Sequence, residues 1–517
     1  MRYLYLILFM VVLGLPFGLR YLALHKVRST FVNASAARLV IVTPHNGDIR
    51  REFGRAYDEW HRRTYGQQVT IDFHVPGGTS DMVRLLKGTY DAYRLPDGKL
   101  PPVVPVDFDV VWGGGDYTFY HDLQPAGILQ PIRLSPELLR DAFPRADLAG
   151  VQLYDRVQDA QGRPTPHWVG VCLSSFGIIY NPQLYQTLGL PPPTAWADLT
   201  NEKLWGLIAL ADPAHSGSVA VSYMMVLQRA MADAEQRQFD QEPALKALGR
   251  KELDARADYR AAIADGWHRG MGQLLLIAAN ARYFSDSSEI PPTDVARGEA
   301  AAGVCIDFYA RVTEGTVGPE RAKFVLPRAA TAITPDPVAI LHGVAGERLT
   351  LATHFVEFLL TPEAQRVWIL EPGQPGGPVE RSPRRMPIRR DVYADQSGWA
   401  DHFNPFDEAG NFNQRGQWMA LMSETIPIWD AAWIDSRDAL VMSYRAVLGV
   451  TDRAKREHLL RQLADVPVTM QEVEDQRTTR AQLKQQGADM DEWSAGQRIM
   501  WGQRFRKHYA RVAAQSQ

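Results

Sequence analysis

The chain has 517 residues, 45% of them hydrophobic and 22% charged, a composition that folds around packed cores and not one that stays disordered. Its formal net charge of −3 excludes the broad basic excess needed to neutralise nucleic-acid phosphates, so no nucleic-acid partner is expected. The two cysteines, Cys172 and Cys305, are too few and too far apart for a zinc ribbon or a redox pair; each sits in an apolar stretch and is expected as a separate buried thiol.

At the N-terminus, residues 3–19 form an uncharged apolar run that follows Arg2, near the lower limit for spanning a bilayer. We read residues 1–37 as a membrane anchor or signal segment, with Ala34-Ser35-Ala36 as a possible cleavage site. No cysteine follows the run to carry a lipid. Arg20, Lys26 and Arg28 flank its far end, a charge placement that leaves orientation open.

Beyond it, residues 38–43 read as a buried strand ending at Pro44. Ile49, Phe53, Tyr57 and Trp60 then fall at helical spacing. A second strand over 69–73 runs into Pro76-Gly77-Gly78-Thr79-Ser80 and another helix. A third, 108–112, ends in Gly113-Gly114-Gly115-Asp116. Strand, glycine-rich or polar turn, then helix, repeated, predicts an α/β fold with a mostly parallel sheet. Short apolar strands recur at 207–210 and 304–307, and a helix from Leu351 carries Phe355, Phe358 and Leu359 on one face. Residues 414–517 are rich in Gln, Arg, Glu and Ala and predict a helical extension.

Several stretches resemble, in order, the extracellular solute-binding proteins of ABC importers, of the class that includes ferric-ion, polyamine and sugar-phosphate binders. They are Asp109-Val110-Val111-Trp112, Ser175-Phe176-Gly177-Ile178-Ile179-Tyr180-Asn181, Thr194-Ala195-Trp196-Ala197-Asp198-Leu199, Ala211-Asp212-Pro213 with Ser216-Gly217-Ser218, Gly298-Glu299-Ala300, and the run from Phe355 through Thr361-Pro362-Glu363-Ala364-Gln365. The resemblance spans roughly residues 38–395. It implies two α/β lobes joined by crossing strands: lobe 1 over 38–170 with a return segment at about 320–400, lobe 2 over 171–319, and the helical extension over 401–517. It also implies a small-molecule solute held in the cleft by hinge closure, ABC permease subunits as partners, and a periplasmic or other extracytoplasmic location, tethered to the inner membrane or secreted after cleavage.

In such a fold, ligands sit at strand ends, where loops offer hydroxyls and free amides. The candidate ligand-binding residues are Asn46; Gly78, Thr79 and Ser80; Gly114 and Asp116; Ser174 and Ser175; Ser216, Gly217 and Ser218; Asp286 and Ser287; and Asp307 and Tyr309. Glycines and hydroxyls at helix N-termini cradle anions, although the same residues serve as ordinary helix caps. Arg282 is a further candidate for pairing with an anion. Ferric binders of the family carry two adjacent tyrosines where this chain has Phe308-Tyr309, and Phe cannot ligate a hard ion. A phosphorylated or organic solute therefore ranks above iron, and neither a metal nor another cofactor is expected. No nucleophile elbow and no phosphate-binding P-loop are present. The Arg384-Arg385 and Arg389-Arg390 run reads as a solvated face. An importer component is the leading reading and a membrane-tethered sensor the alternative. An enzyme using Asp212, Asp286 or Asp307 ranks last.

Overall fold

The structure, a computed structural model, describes residues 37–408, 412–486 and 490–516. The expected N-terminal anchor lies outside the described residues; among those described, no helix is long and apolar enough to cross a membrane.

Two sheets organise the first 400 residues. The first uses β1 (Ala37–Val42), β2 (Val69–His74), β3 (Val110–Trp112), β4 (Leu129–Gln130), β5 (Val169–Ser174), β11 (Thr334–Leu341) and β12 (Met386–Pro387). Its order is β12-β5-β11-β3-β1-β2, with β4 also on β11. The second uses β6 (Phe176–Tyr180), β7 (Ile208–Ala211), β8 (Ala281–Ser285), β9 (Ala302–Ile306) and β10 (Lys323–Val325), in the order β8-β7-β9-β6-β10. Strands β1, β2 and β3 pair in parallel, as do β7, β8 and β9, while β6 and β11 run antiparallel to their neighbours. Strands β1, β3, β5 and β11 are apolar and largely buried because helices cover both faces.

The chain passes from the first sheet to the second at Ser175 and returns between Val325 and Thr334. These crossings lie several residues beyond the lobe limits of 170 and 320 drawn from the sequence. The reason is that β5 ends on the first sheet beside β11, and β10 still pairs with β6 on the second.

Helices carry the strand ends towards the cleft: α1 (Gly47–Tyr65), α2 (Thr79–Asp91), α3 (Gly217–Gln241), α4 (Ala257–Ala279), α5 (Asp307–Val317) and α6 (Gly346–Leu359). Beyond residue 400 lie α7 (Met422–Trp429), α8 (Arg437–Leu448), α9 (Arg453–Ala464), α10 (Met470–Gln485) and α11 (Met490–Ser516). This region does more than append to lobe 2. Trp429 meets Tyr223 edge-on with ring centroids 5.5 Å apart, and its indole N–H points at the Met271 sulfur at 3.3 Å. The C-terminal helices and α3–α4 thus share one apolar core.

Candidate functional site

Between the lobes lies a cleft of about 580 Å³. Its walls are strand-end loops, and three of the loops open long helices. Asn46 caps α1, its Oδ1 accepting from the Ile49 amide at 3.1 Å. Gly78 caps α2, with Asp81 accepting from its amide at 3.2 Å. Ser216 caps α3 through the Val219 amide at 3.4 Å. Capping occupies one side-chain acceptor at each end but leaves other first-turn N–H groups facing the cleft, where their partial positive charge favours an anion.

The α2 and α3 openings meet across the cleft. A Cβ on Gly78 would lie 2.9 Å from the His215 carbonyl oxygen, and one on Gly217 would touch Thr79 at 3.4 Å. The lobes are therefore in contact, and at Gly78 only glycine lets the two backbones approach so closely. Beside them Ser216, Ser218 and Ser288 form a hydroxyl triangle with Oγ separations of 3.1 to 3.3 Å.

Strand β11 sets the cleft floor. It runs Thr334-Pro335-Asp336-Pro337, and its pairing with β5 shifts register between Asp336 and Pro337. Prolines are excluded from a regular central strand, and the irregularity turns the Asp336 carboxylate towards the glycine turn. Oδ1 accepts from the Gly114 and Gly115 amides at 2.9 and 3.0 Å. Oδ2 meets Arg385 Nη1 at 2.5 Å and His45 Nε2 at 3.0 Å. Gly113, Gly114 and Gly115 all have φ between 80° and 110°, a conformation that strains any other residue. Burial alone would raise the Asp336 pKa, but the Arg385 and His45 contacts and the Gly115 amide outweigh it and hold the carboxyl well below its usual range. Burial lowers the His45 pKa and keeps that ring neutral near pH 7. Asp116 keeps an edge open to the cleft, yet burial pushes its carboxyl up to about 7, and the charge of Asp336 adds to the shift.

Of the sequence candidates, Asn46, Gly78, Thr79, Gly114, Asp116, Ser174, Ser216, Gly217, Ser218, Asp286, Ser287 and Tyr309 all line this cleft. Three do not. Ser80 lies on α2 outside the lining. Ser175 and Asp307 bind each other: the Ser175 amide and hydroxyl both donate to Asp307 Oδ2 at 2.8 Å, which pins the crossing strand to the start of α5. Arg282 also lies elsewhere, its guanidinium donating to the Glu299 carbonyl at 2.5 Å. Asp212 is taken up by the Ala214 amide at 2.7 Å and by His215 at 3.1 Å.

The arginine run is corrected too. Arg385 is 2% exposed, Arg389 is buried on the Leu360 carbonyl, and Arg384 binds the Ala400 carbonyl; of the four, Arg390 is exposed. Arg385 reaches Ser174 Oγ at 2.5 Å and lies 4.5 Å over the Phe308 ring. Cleft residues that the sequence reading missed include Arg50, Phe308, Asp336, Arg385 and Met422. The Pro-Asp-Pro within an apolar strand was the available signal for Asp336. Both cysteines are free and buried. Among the described residues, no cluster of three or more His, Cys, Asp or Glu is placed to hold a metal ion.

The chain thus presents two α/β lobes joined by crossing strands around a polar cleft. Residues 127–375 match the family model for bacterial extracellular solute-binding proteins. The phosphoglycerate transport regulatory protein PgtC of Salmonella typhimurium is 24% identical over 199 residues, 38% of this chain and 40% of that protein; its Salmonella typhi counterpart matches equally. The chain thus spans about two fifths of the length of these curated relatives. Among solved structures, the periplasmic binding protein AfuA from Actinobacillus pleuropneumoniae is 18% identical, with a TM-score of 0.49 over 77% of this chain and 98% of its own. Iron-bound HitA from Pseudomonas aeruginosa is 16% identical, with a TM-score of 0.45 over 75% and 97%.

Proposed function

We propose that this chain is the extracytoplasmic solute-capturing component of an ABC-type importer, and that its solute is a small hydroxylated anion of the phosphorylated or carboxylated organic class. One observation carries this reading: the N-termini of α1, α2 and α3 converge on a single cleft beside the Ser216–Ser218–Ser288 triangle. Amides and hydroxyls so arranged complement oxyanions without needing a full positive charge. Arg50 adds a cation, since the Arg385 charge is matched by Asp336. Asp81, Asp116, Asp286 and Glu289 also line the cleft. They repel a bare polyanion but accept hydrogen bonds from solute hydroxyls, which favours an organic anion over inorganic phosphate. The name of the PgtC relative points in the same direction.

Capture by closing lobes requires no chemistry on the solute, and two carboxylates with acid–base chemistry, Asp212 and Asp307, are already bound to backbone amides. In this reading the protein works in the periplasm, where permease subunits receive the solute, and the family match over residues 127–375 supports it. The membrane anchor at residues 1–37 belongs to the same proposal. A sensing role is the second reading, favoured by the helical domain beyond the family match.

The test is a thermal-shift and calorimetric screen of 3-phosphoglycerate, fructose 6-phosphate, inorganic phosphate, spermidine and ferric ion. A ligand at a hundredfold excess over its Kd stabilises the folded state by about 2.7 kcal/mol. A shift with the phosphorylated organic acids or sugars, recovered unconsumed, is the expected result. A shift with spermidine or iron alone overturns the anionic assignment.

A further inference from the structure

The C-terminal helical domain touches both lobes, but very unequally. On lobe 2 it is anchored by close packing. Arg415 pairs with Glu235 of α3 at 2.6 Å, and Arg437 donates to the Ala281 and Arg282 carbonyls at 2.8 Å. Gly272 of α4 lies directly against the Ala464 carbonyl of α9 with no room for a side chain. These contacts surround a shared apolar core that cannot part without exposing Trp429 and Trp433. The helical domain therefore moves with lobe 2 as one body.

On lobe 1 its contacts are fewer: Phe406 packs on Tyr393 of the return segment with ring centroids 5.3 Å apart, and two more involve residues 149–150 and the cleft wall. The Gln414 amide donates to the Ala149 carbonyl at 3.2 Å, and a Cβ on Gly150 would lie 2.6 Å from the Gln414 carbonyl oxygen. The second contact is in the cleft itself. Met422, the first residue of α7, is buried and lines the cleft together with Tyr117. Tyr117 of lobe 1 and Met422 of α7 share this lining, and Ser423, next to Met422, is among the groups that act on the Tyr117 phenol. Tyr117 follows the Gly113–Gly115 turn that Asp336 fixes. Ser423 is held from behind: its hydroxyl donates to Glu424 Oε2 at 2.8 Å, and Glu424 Oε1 meets Arg480 of α10 at 3.2 Å. A continuous set of contacts thus runs from the cleft wall to an outer helix.

We propose that the C-terminal domain completes the solute site, Met422 forming a wall that limits solute size and the Ser423–Tyr117 contact latching lobe 1 against the body formed by lobe 2 and the helices. The Met422 side chain offers no strong hydrogen-bonding group, so the solute presents carbon and not oxygen to that wall. Opening the cleft moves lobe 1 away from the helical domain and must break the latch. This deepens the reading of the cleft as a solute site and rests on it. Residues 127–375, the family match, include neither Met422 nor Ser423, so the latch is a property of this chain's added domain.

The experiment has two arms, both on the full chain. Hydrogen exchange of the unliganded protein needs no solute. Ser423→Ala and Tyr117→Phe should each speed amide exchange over residues 116–123 by about tenfold while α3 and α4 exchange as before. Unchanged exchange in both variants overturns the latch. In the second arm, calorimetry with 3-phosphoglycerate and fructose 6-phosphate compares the parent with Met422→Trp and Met422→Ala. The Trp variant should bind at least about tenfold more weakly while still unfolding cooperatively in urea, and the Ala variant should accept the larger probe better relative to the smaller. Equal affinities in all three overturn the wall. If the parent binds neither probe, the choice of solute class fails, and the exchange arm still decides the latch.

Discussion

Arg385 Nη1 lies 2.5 Å from Asp336 Oδ2, and the two residues are both more than nine-tenths buried, Asp336 on β11 and Arg385 just before β12, the strands on either side of β5. The pair ties the cleft floor to the crossing strand through Ser174 and to the glycine turn through two amides. A buried ion pair is not by itself a large net stabiliser, but stranding one partner is costly.

Arg385→Met is therefore expected to destabilise the protein by about 3–5 kcal/mol. Arg385→Met combined with Asp336→Asn should cost less than the two single substitutions added together, because neither leaves a bare charge behind. Urea denaturation of the three variants checks this. Additive losses would show that the pair acts as two independent residues.

The glycine turn gives a graded prediction. A Cβ on Gly114 would meet Met82 Cε at 2.8 Å, with φ at +110°, whereas at Gly115 nothing lies within 4 Å and φ is +80°. Gly115→Ala should cost about 1–2 kcal/mol from backbone strain alone, and Gly114→Ala more. Equal denaturation midpoints for the two would contradict the packing.

Gly78 separates closure from folding. Its φ is −73°, so alanine is tolerated by the backbone, and the obstruction is the His215 carbonyl across the cleft. Gly78→Ala should leave the thermal midpoint of the unliganded protein nearly unchanged, raise the radius of gyration in small-angle scattering, and weaken solute binding by about tenfold. A compact variant with full affinity would show that the two loops can separate without opening the cleft.

The pH dependence of stability follows from Asp116 and Asp430. Burial pushes both carboxyls up to about 7, with Asp336 adding at the first and Asp212 at the second. Unfolded aspartates titrate near about 4, so between about pH 4 and pH 7 the folded chain holds protons that the unfolded chain releases. Stability from these groups therefore falls as pH rises through that window and levels off above it. Asp336 has the opposite sign: its lowered pKa contributes stability that is lost as pH falls below about 4. Thermal midpoints measured from pH 5 to pH 8 should decline, and Asp116→Asn with Asp430→Asn should flatten the slope. A slope unchanged in the double variant would assign it to other groups.

Much of this site was legible because it is built from local signals. Asn46, Gly78 and Ser216 stand where a strand ends and a helix begins, and capping chemistry is written within four residues. The resemblance supplied the order of the lobes. Asp307 and Ser175 show the limit of that method: both have the right chemistry at a strand end, but they face each other, and nothing in their neighbourhoods tells inward from cleft-facing. Arg385 is the reverse case. In sequence it belongs to a basic run that would ordinarily be solvated, and only its approach to Asp336, 49 residues away, makes burial tolerable.

The sequence by itself determined the α/β alternation, the glycine and hydroxyl turns, the helical C-terminal fifth and the separate thiols, since each follows from short-range periodicity, backbone preference or residue chemistry. Only the tertiary structure decided which turns share a cleft, that Asp336 and Arg385 form its floor, and that Met422 reaches its wall from more than three hundred residues beyond the glycine turn. Those relationships depend on which elements pack together, and packing is a property of the whole chain that no single window of sequence contains.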